Sequence, residues 1–324
     1  MFEKFEGYVP REEPADWLAG GKRVSFDRVE WKVIPDAATA AGALQNGEVD
    51  WWENPIPDLV PIMSRNSSVI IDLADPLGNI GDCRFNHLYP PFDDVRVRRA
   101  VLMAANQADY MQALVGDNQK LWQESASFFT PGTPLYTERG GEILKQKNIA
   151  GAKKLVGEAG HKGTKVVMLV GTDQPISKSQ GDVTADLLEK IGLVPDYIAT
   201  DWGTLGARRA SREPVAKGGW NMFFTWHAGV DCVNPGANPA YYTTGERAWF
   251  GWPKSEDVQR KIEAWFAATD VETEKLAIRE INRAEMDFAT FLPSGFFKGY
   301  QAWRKNLSGI VQAPFPVVWG VTKT

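Results

Sequence analysis

Residues 165–199 read KVVMLVGTDQPISKSQGDVTADLLEKIGLVPDYIA, a strand, a helix and a second strand in succession. The apolar run Lys165–Val170 is predicted as a strand. The pattern predicts a helix over Val183–Ile191, closed by Gly192, because glycine readily takes the left-handed backbone that ends many helices. Val194–Ala199 then resumes as a strand. This order is typical of an α/β layer with a largely parallel sheet.

The same alternation is expected in the rest of the chain. Arg28–Ile34 alternates apolar and polar residues, as a half-buried strand does. Pro35–Asp36 stops that strand and starts an Ala-rich helix that runs as far as Gln45. Gly47 closes that helix and Val49–Trp52 resumes as a strand, which predicts a strand–helix–strand unit. The other predicted elements are strands at 69–73, 83–86 and 221–225, and short aromatic strands after Pro293. Helices are predicted near 58–64, after Asp93 or Asp94, in a short stretch that ends at Gly116, at 149–159 and within 255–288.

The chain length and the net charge exclude several classes of protein. At 324 residues and 36.0 kDa the chain exceeds what one compact core usually holds, so two lobes are expected. The formal net charge of −5 argues against a nucleic-acid partner, because phosphate binding needs a basic face. No run of about 18 apolar residues occurs, so no transmembrane segment is predicted. Residues 1–7 lack the basic start and apolar run of an export signal, which taken alone predicts a cytoplasmic protein.

Catalytic chemistry finds little support in the sequence. The histidines are His87, His161 and His227, and no HExxH spacing indicates a metal site. Nucleophile motifs and phosphate-binding loops do not occur, so neither a cofactor nor a metal is predicted. A thiol–imidazole pair of Cys232 and His227 is kept as an enzymatic alternative. Cys83 and Cys232 form one bridge or stay free, and the sequence leaves both possibilities open.

The chain contains 13 Trp, an unusually high number. The densest group, with Tyr241 and Tyr242 among them, is Trp202, Trp220, Trp226, Trp249 and Trp252. Two interpretations stay open. In the first, these indoles fill the core, as most indoles do. In the second, they form a wall of flat apolar faces against which an organic ligand packs, with Asp231 as its charged partner.

Four separated blocks resemble the family 5 extracellular solute-binding proteins of ABC importers, which bind dipeptides, oligopeptides, nickel chelates and some sugars. The blocks are Ala43–Asp50 (ALQNGEVD), Phe85–Asn86, Pro91–Val101 (PFDDVRVRRAV) and Ala152–Gly160 (AKKLVGEAG). Each block is weak alone, but their order and spacing are similar to the family over most of the chain. The resemblance covers only the C-terminal part of such proteins and begins at a degraded motif, Arg11–Trp17.

The resemblance implies an α/β fold of the periplasmic-binding-protein type (cluster C), with two lobes and lobe I incomplete. Residues 1–86 and 293–324 would belong to lobe I and residues 87–292 to lobe II, with hinge crossings near Phe85–Asn86 and Leu292–Pro293. It implies a periplasmic protein whose signal peptide and first part of lobe I are missing from this chain. It also implies capture of a peptide-like solute for a membrane permease, with ATPase subunits as separate chains, no enzymatic step and no cofactor.

The resemblance further implies a ligand site in the cleft of such a protein. Asp231 would bind the cationic amino group of the ligand, Trp226 would pack against the ligand and His227 would make a polar contact. Asn86 would contact the ligand from the hinge. The contacts expected from lobe I are Trp51 and Trp52.

Two questions about the ligand stay open at this point. The resemblance assigns no residue that binds the carboxylate of the ligand, and Arg84 and Arg247 are the candidates. An oligosaccharide or another neutral solute is the alternative ligand, because the faces of sugars stack on indole rings.

Overall fold

The computed structural model describes residues 1–324 and shows a mixed α/β architecture. The chain forms two compact units, a larger one of residues 79–297 and a smaller one of residues 1–78 and 298–324. The strands are β1 Phe2–Glu3, β2 Arg28–Val29, β3 Trp51–Trp52, β4 Val69–Leu73, β5 Asn79–Phe85, β6 Trp122–Gln123, β7 Lys165–Gly171, β8 Val194–Thr200, β9 Met222–Ala228, β10 Phe291–Phe297, β11 Tyr300–Arg304, β12 Leu307–Ser308 and β13 Thr322–Lys323. The helices are α1 Ala37–Asn46, α2 Val60–Met63, α3 Val95–Ala104, α4 Gln107–Val115, α5 Ile149–Glu158, α6 Pro175–Lys190, α7 Trp202–Arg208, α8 Glu256–Phe266 and α9 Val271–Phe288.

A six-stranded sheet forms the centre of the larger unit, in the order β6-β10-β5-β9-β7-β8. Strand β7 is parallel to β8 and β9, whereas β5 is antiparallel to β9 and β10, and β10 is antiparallel to β6. The prediction of a largely parallel sheet is therefore wrong for one side of the layer. Strand β5 brings the chain into this unit and β10 takes it out. Because the entry residue Asn79 pairs with the exit residue Phe297, the two strands must run in opposite directions.

The chain passes between the two units at residues 78–79 and 297–298. The crossings predicted near Phe85–Asn86 and Leu292–Pro293 fall inside the larger unit instead. The reason is that β5 and β10 extend past both points as paired strands of one sheet. That the larger and smaller units act as lobes II and I stays a prediction.

Two helices of the larger unit show which sequence signals predicted the start of a helix correctly and which did not. Asp94, one of the two predicted starts, caps α3 through its side chain. The residues Val97, Ala100, Val101 and Ala104, which share one face at helical spacing, are buried, so the predicted helix is confirmed. Helix α6 begins at Pro175, well before the predicted start at Val183. Its first half carries the buried polar residues Ser177 and Gln180, which bond to β7 and β9 respectively. Helical apolar spacing is absent there, so the sequence did not predict this half.

The smaller unit contains α1 and sheets of short strands. Asp36 caps α1 and Gly47 ends it at a φ of 82°, as predicted. Strands β3 and β4 both pair with β11, so the C-terminal segment supplies the central strand of an antiparallel sheet. The predicted strand over Arg28–Ile34 is wrong beyond β2, since Val33 is 90% exposed and packs against nothing. No strand–helix–strand unit forms, because β2 pairs with β1 and β3 with β11.

The main apolar core lies in the larger unit. Aromatic side chains from neighbouring strands are fully buried there, among them Phe85, Phe223, Phe224 and Phe291. None of the helices is both long and apolar enough to cross a membrane.

Candidate functional site

Strand β9 ends at residues that the sequence nominates for ligand binding. Successive side chains of a strand point to opposite faces, so Trp226 and His227 diverge. Trp226 lies opposite Gly81 of β5, and His227 lies opposite Ile80. The two residues therefore have different surroundings and do not share one contact surface.

Trp226 stacks on Trp202, the first residue of α7, with ring centroids 5.3 Å apart and an interplanar angle of 29°. Both indoles are half-buried. The backbone amide of Trp202 donates to Asp173 Oδ1 at 2.8 Å, which ties the start of α7 to the loop after β7. Trp226 is near the end of β9, and Trp202 is the second residue after β8. The indole pair therefore lies at the carboxyl edge of the parallel strands, where open α/β sheets bind ligands.

Asp231 lies in a 3₁₀ turn, Gly229–Cys232, directly after β9. The residue is exposed, and its carboxylate forms neither an ion pair nor a hydrogen bond. The turn is fixed by the buried Thr130, whose hydroxyl donates to Gly229 O at 2.6 Å and whose amide donates to Cys232 O at 3.1 Å. Asp231 is therefore a free negative charge on an ordered turn, at the same strand end as Trp226.

His227 joins a buried ionic cluster on the opposite face of the sheet. Its Nε2 lies 2.9 Å from Asp82 Oδ2, and Arg84 Nη1 lies 3.7 Å from the same oxygen. Asp82 and Arg84 are fully buried, and the His227 side chain is only 10% exposed. The guanidinium of Arg84 also donates to the carbonyls of Phe250 and Ala240, at 2.8 and 3.1 Å. The imidazole thus has an internal partner, and Arg84 is not available to an external carboxylate.

Other buried titratable groups have pKa values shifted by desolvation. Burial raises the pKa of Glu285 to about 8, although its hydrogen bond from the Thr290 hydroxyl and the charge of Arg84 act in the opposite direction. Burial raises the pKa of the Cys232 thiol to about 12 and that of Cys83 well above its usual range. Both thiols are free, so the two cysteines are not bridged. Because the thiolate is the reactive form of cysteine, neither is a ready nucleophile.

The arrangement of ligating side chains does not suggest a metal. No group of three or more His, Cys, Asp or Glu side chains is placed to hold an ion. His87 is half-buried, with its Nε2 2.9 Å from the Thr290 carbonyl oxygen, and desolvation holds its pKa well below the usual range. It is therefore a neutral residue with an internal partner.

Asn86 is fully buried at the end of β5. Its side-chain amide donates to Trp220 O at 2.8 Å, and its Oδ1 accepts from the Leu88 amide at 3.1 Å. Its polar side chain is satisfied within the larger unit. A ligand contact by Asn86 stays a prediction, and these bonds indicate a structural role.

Trp51 and Trp52 form β3 of the smaller unit and pack into two clusters there. Trp52 lies against a cluster that includes Leu44 and Ala302, and Trp51 lies against one that includes Trp303. The structure places both indoles in a different compact unit from the Trp226 pair. Their expected contact with a ligand stays a prediction.

A groove of about 660 Å³ lies beside the ionic cluster, formed largely by the loop between β9 and α8. Its walls include Arg212, Tyr242, Arg247, Trp249, Phe250 and Trp252. The Trp249 ring centroid is 5.6 Å from that of His227 and 4.9 Å from the guanidinium carbon of Arg84. One indole therefore separates the groove from the buried cluster.

Sequence reasoning missed Asp82 and, among the groove walls named above, Arg212 and Phe250, whereas Tyr242, Arg247, Trp249 and Trp252 were singled out. A signal for Asp82 exists, since strand 79–85 (NIGDCRF) carries Asp82 and Arg84 two residues apart and hence on one face. Opposite charges on a strand destined for burial indicate a paired group, because an unpaired buried charge is costly. The third member, His227, is separated from Asp82 by 145 residues and carries no such signal.

Comparison with known proteins identifies the family. Residues 1–249 match the family described as bacterial extracellular solute-binding proteins, family 5 middle. A probable peptide ABC transporter periplasmic-binding protein of Sinorhizobium fredii, y4tO, is 31% identical over 324 residues, which cover 99% of this chain and 61% of that protein.

Solved structures share the fold. The ABC transporter substrate-binding protein CtaP from Listeria monocytogenes aligns with a TM-score of 0.75 at 20% identity, over 90% of this chain and 59% of that one. The dipeptide-binding protein from Pseudoalteromonas sp. SM9913, solved in complex with Met-Leu, aligns with a TM-score of 0.74 at 18% identity, over 95% and 60% of the two chains. These likenesses confirm the predicted α/β fold of the periplasmic-binding-protein type.

The chain spans about 60% of the length of these relatives. The family match extends over most of the chain, from the smaller unit through the Trp226 pair and Asp231 to Trp249. This chain belongs to the bacterial extracellular solute-binding proteins of family 5.

Proposed function

We propose that the protein to which this chain belongs is the solute-binding component of an ABC importer and captures a peptide-like solute in the periplasm. The observation that carries the proposal is the free carboxylate of Asp231 on an ordered turn, at the same strand end as the stacked Trp202–Trp226 pair. Family membership and the peptide-binding relatives support it. The permease and the ATPases would be separate chains.

Asp231 and the indole pair suit the two ends of a small peptide. A carboxylate without a partner attracts the ammonium group of a free peptide N-terminus, and a charge-assisted hydrogen bond is stronger than a neutral one. Flat, half-buried indoles offer an apolar surface to a side chain. Because Thr130 holds the turn of Asp231 in place, little conformational entropy is lost when the ligand binds.

The surroundings of Cys232 and His227 favour binding over catalysis. The Cys232 thiol is buried with a raised pKa, and His227 is paired with Asp82. A hydrolase built on these two residues would need a thiolate and an accessible imidazole. We therefore propose capture and release of the solute without a covalent step.

A thermal-shift panel on the intact protein tests the ligand class. Trialanine, N-acetyl-trialanine and maltotriose are compared at equal concentration, since a ligand that binds only the folded state raises the melting temperature. We expect the largest rise with trialanine and a smaller one with the acetylated peptide, which lacks the ammonium group. A rise with maltotriose alone would favour the neutral-solute alternative, for which the stacked indoles are the supporting feature. No rise with either peptide would contradict the proposal.

A further inference from the structure

We propose that the groove walled by Arg212, Arg247, Trp249, Phe250 and Trp252, here named the arginine groove, is a second ligand site that binds a planar organic anion such as an aryl carboxylate. This inference is independent of the proposed peptide site. It rests on the position of the groove, on guanidinium groups that lack an anionic partner, and on the aromatic rings between them.

The arginine groove and the Trp226 pair have different lining residues. Arg84, near the end of β5, donates to the carbonyl of Phe250, which is a wall residue of the groove. Trp226 lies opposite Gly81, near the start of β5, and its stacking partner Trp202 packs against the same apolar cluster as Trp249, Phe250 and Trp252. Neither Trp226 nor Asp231 lines the groove. A molecule bound in the groove would therefore contact groove walls other than Trp226 and Asp231.

The cationic groups of the groove have no anionic partner. Arg247 is exposed and forms no ion pair and no hydrogen bond. Arg212 donates to the carbonyl of Glu246 at 2.5 Å, and its guanidinium carbon lies 5.0 Å from the Trp252 ring centroid, but no carboxylate pairs with it. Two positive charges therefore face one groove without compensation, which favours an anion.

A third guanidinium adds to this charge. Arg209 lies 4.6 Å from the Phe250 ring centroid and 5.5 Å from that of Trp249. Its Nε is buried without a hydrogen-bond partner, and Arg209 forms no ion pair. The negative charge that raises its pKa against the effect of burial is that of Asp82, which is already paired with His227 and Arg84. Asp82 therefore does not cancel the positive potential that Arg209 adds to the groove.

The aromatic walls favour a flat organic body over a bare inorganic ion. Trp249, Phe250 and Tyr242 are half-buried, so each still presents apolar surface to the groove. The volume of about 660 Å³ falls within the range of roughly 300–1,000 Å³ that is typical of small-molecule sites. A ring with one carboxylate would cover the aromatic surface and pair with Arg212 or Arg247, whereas a cation would be repelled.

Calorimetric titration of the intact protein with 2-naphthoate tests the proposal. The neutral 2-naphthamide has the same ring without the charge, and acetate has the charge without the ring. We expect 2-naphthoate to bind and both comparison compounds to bind at least about tenfold more weakly, since a charge-assisted hydrogen bond and the ring each contribute. Equal binding of acid and amide, or no binding of 2-naphthoate, would overturn the proposal.

Substitutions locate the bound molecule. Arg247→Gln and Arg212→Gln should each raise the Kd of 2-naphthoate at least about tenfold. The matched control is Arg279→Gln, an exposed arginine on α9 of the same unit that forms no ion pair, and it should leave the Kd unchanged. Asp231→Asn should also leave it unchanged.

Two results would contradict this assignment. Unchanged binding in Arg247→Gln, which removes an exposed side chain and leaves the fold intact, would remove the arginine groove as the site. A tighter binding of 2-naphthoate in Asp231→Asn would place the anion beside Asp231 instead. Failure of peptide binding in the thermal-shift panel would leave this result untouched, so the two proposals fail separately.

Discussion

The two compact units of this chain bury their apolar residues to very different degrees. The larger unit surrounds a six-stranded sheet with fully buried aromatic side chains, such as Phe224 and Phe291. The smaller unit has short strands, and Phe5 and Phe2 are 75% and 62% exposed. Since apolar burial is the dominant favourable term in folding, the larger unit holds most of the stability.

The difference extends to the candidate functional features. The stacked Trp202–Trp226 pair, the free Asp231 and the arginine groove all belong to the larger unit. Loops that carry function are positioned by a rigid scaffold, and here the scaffold is the sheet with its buried Asp82. We therefore expect perturbations of the larger unit to have the greater effect on binding, and perturbations of the smaller unit to alter its own stability and the ligand contact predicted for Trp51 and Trp52.

The largest expected effect comes from separating the units. Residues 79–297 expressed alone should fold and unfold cooperatively, because their sheet and core are complete and Asn79 pairs with Phe297 where the chain is cut. Near-ultraviolet circular dichroism and urea unfolding measure this. A 79–297 fragment with a helical circular dichroism signal but with neither a near-ultraviolet signal nor a cooperative unfolding transition would contradict this prediction.

A pH effect of intermediate size is expected from Glu285 in the larger unit. Its pKa is raised by burial to about 8 from an ordinary value of 4.5. Between these values the folded state holds a proton that the unfolded state has released, so the free energy of unfolding falls as pH rises. The slope reaches about 1.4 kcal/mol per pH unit for one proton. Glu285→Gln should remove this pH dependence of the free energy of unfolding. Urea unfolding at pH 5 and at pH 8, which lie about at the two ends of this window, measures the change.

The matched control for Glu285 is the exposed Glu263 on α8. Glu263→Gln should keep the pH dependence of the unmodified protein. The same pH slope in all three proteins would show that Glu285 does not hold its proton in the folded state.

The smallest effects are expected from two helix caps, one in each unit. Asp36 accepts from the Thr39 amide at 2.7 Å in α1, and Asp94 accepts from the Arg96 amide at 2.8 Å in α3. Replacing either by alanine should cost about 1 kcal/mol. If the units unfold separately, Asp36→Ala lowers only the first calorimetric transition and Asp94→Ala only the second. Equal shifts of one shared transition would show that the units unfold together.

Local signals in the sequence predicted helices better than they predicted strand partners. Helix α1 begins after Asp36 and ends at Gly47 as predicted, because both signals lie within the helix and its flanks. The strand predicted over Arg28–Ile34 is mostly absent, and β3 pairs with β11 near the C-terminus. Strand pairing depends on contacts far along the chain, which periodicity does not contain.

The candidate site was predictable only in part for the same reason. The position of Trp226 at a strand end followed from the apolar run before it, but its partner Trp202 belongs to another element. His227 was predicted to contact a ligand, whereas the alternation of β9 turns it towards the buried Asp82. Asp82 and His227 are 145 positions apart in the sequence, and only the pairing of strands in the sheet brings them together.

The central claim is that Asp231 binds the cationic amino group of a peptide-like solute. Calorimetric titration of the intact protein with trialanine compares Asp231→Asn with Asp117→Asn, a matched change at another exposed aspartate of the larger unit. We predict that Asp231→Asn weakens binding by about 2–4 kcal/mol, because the ammonium group would be left without its charged partner. Asp117→Asn should bind like the unmodified protein. Equal affinity in all three proteins would contradict the account.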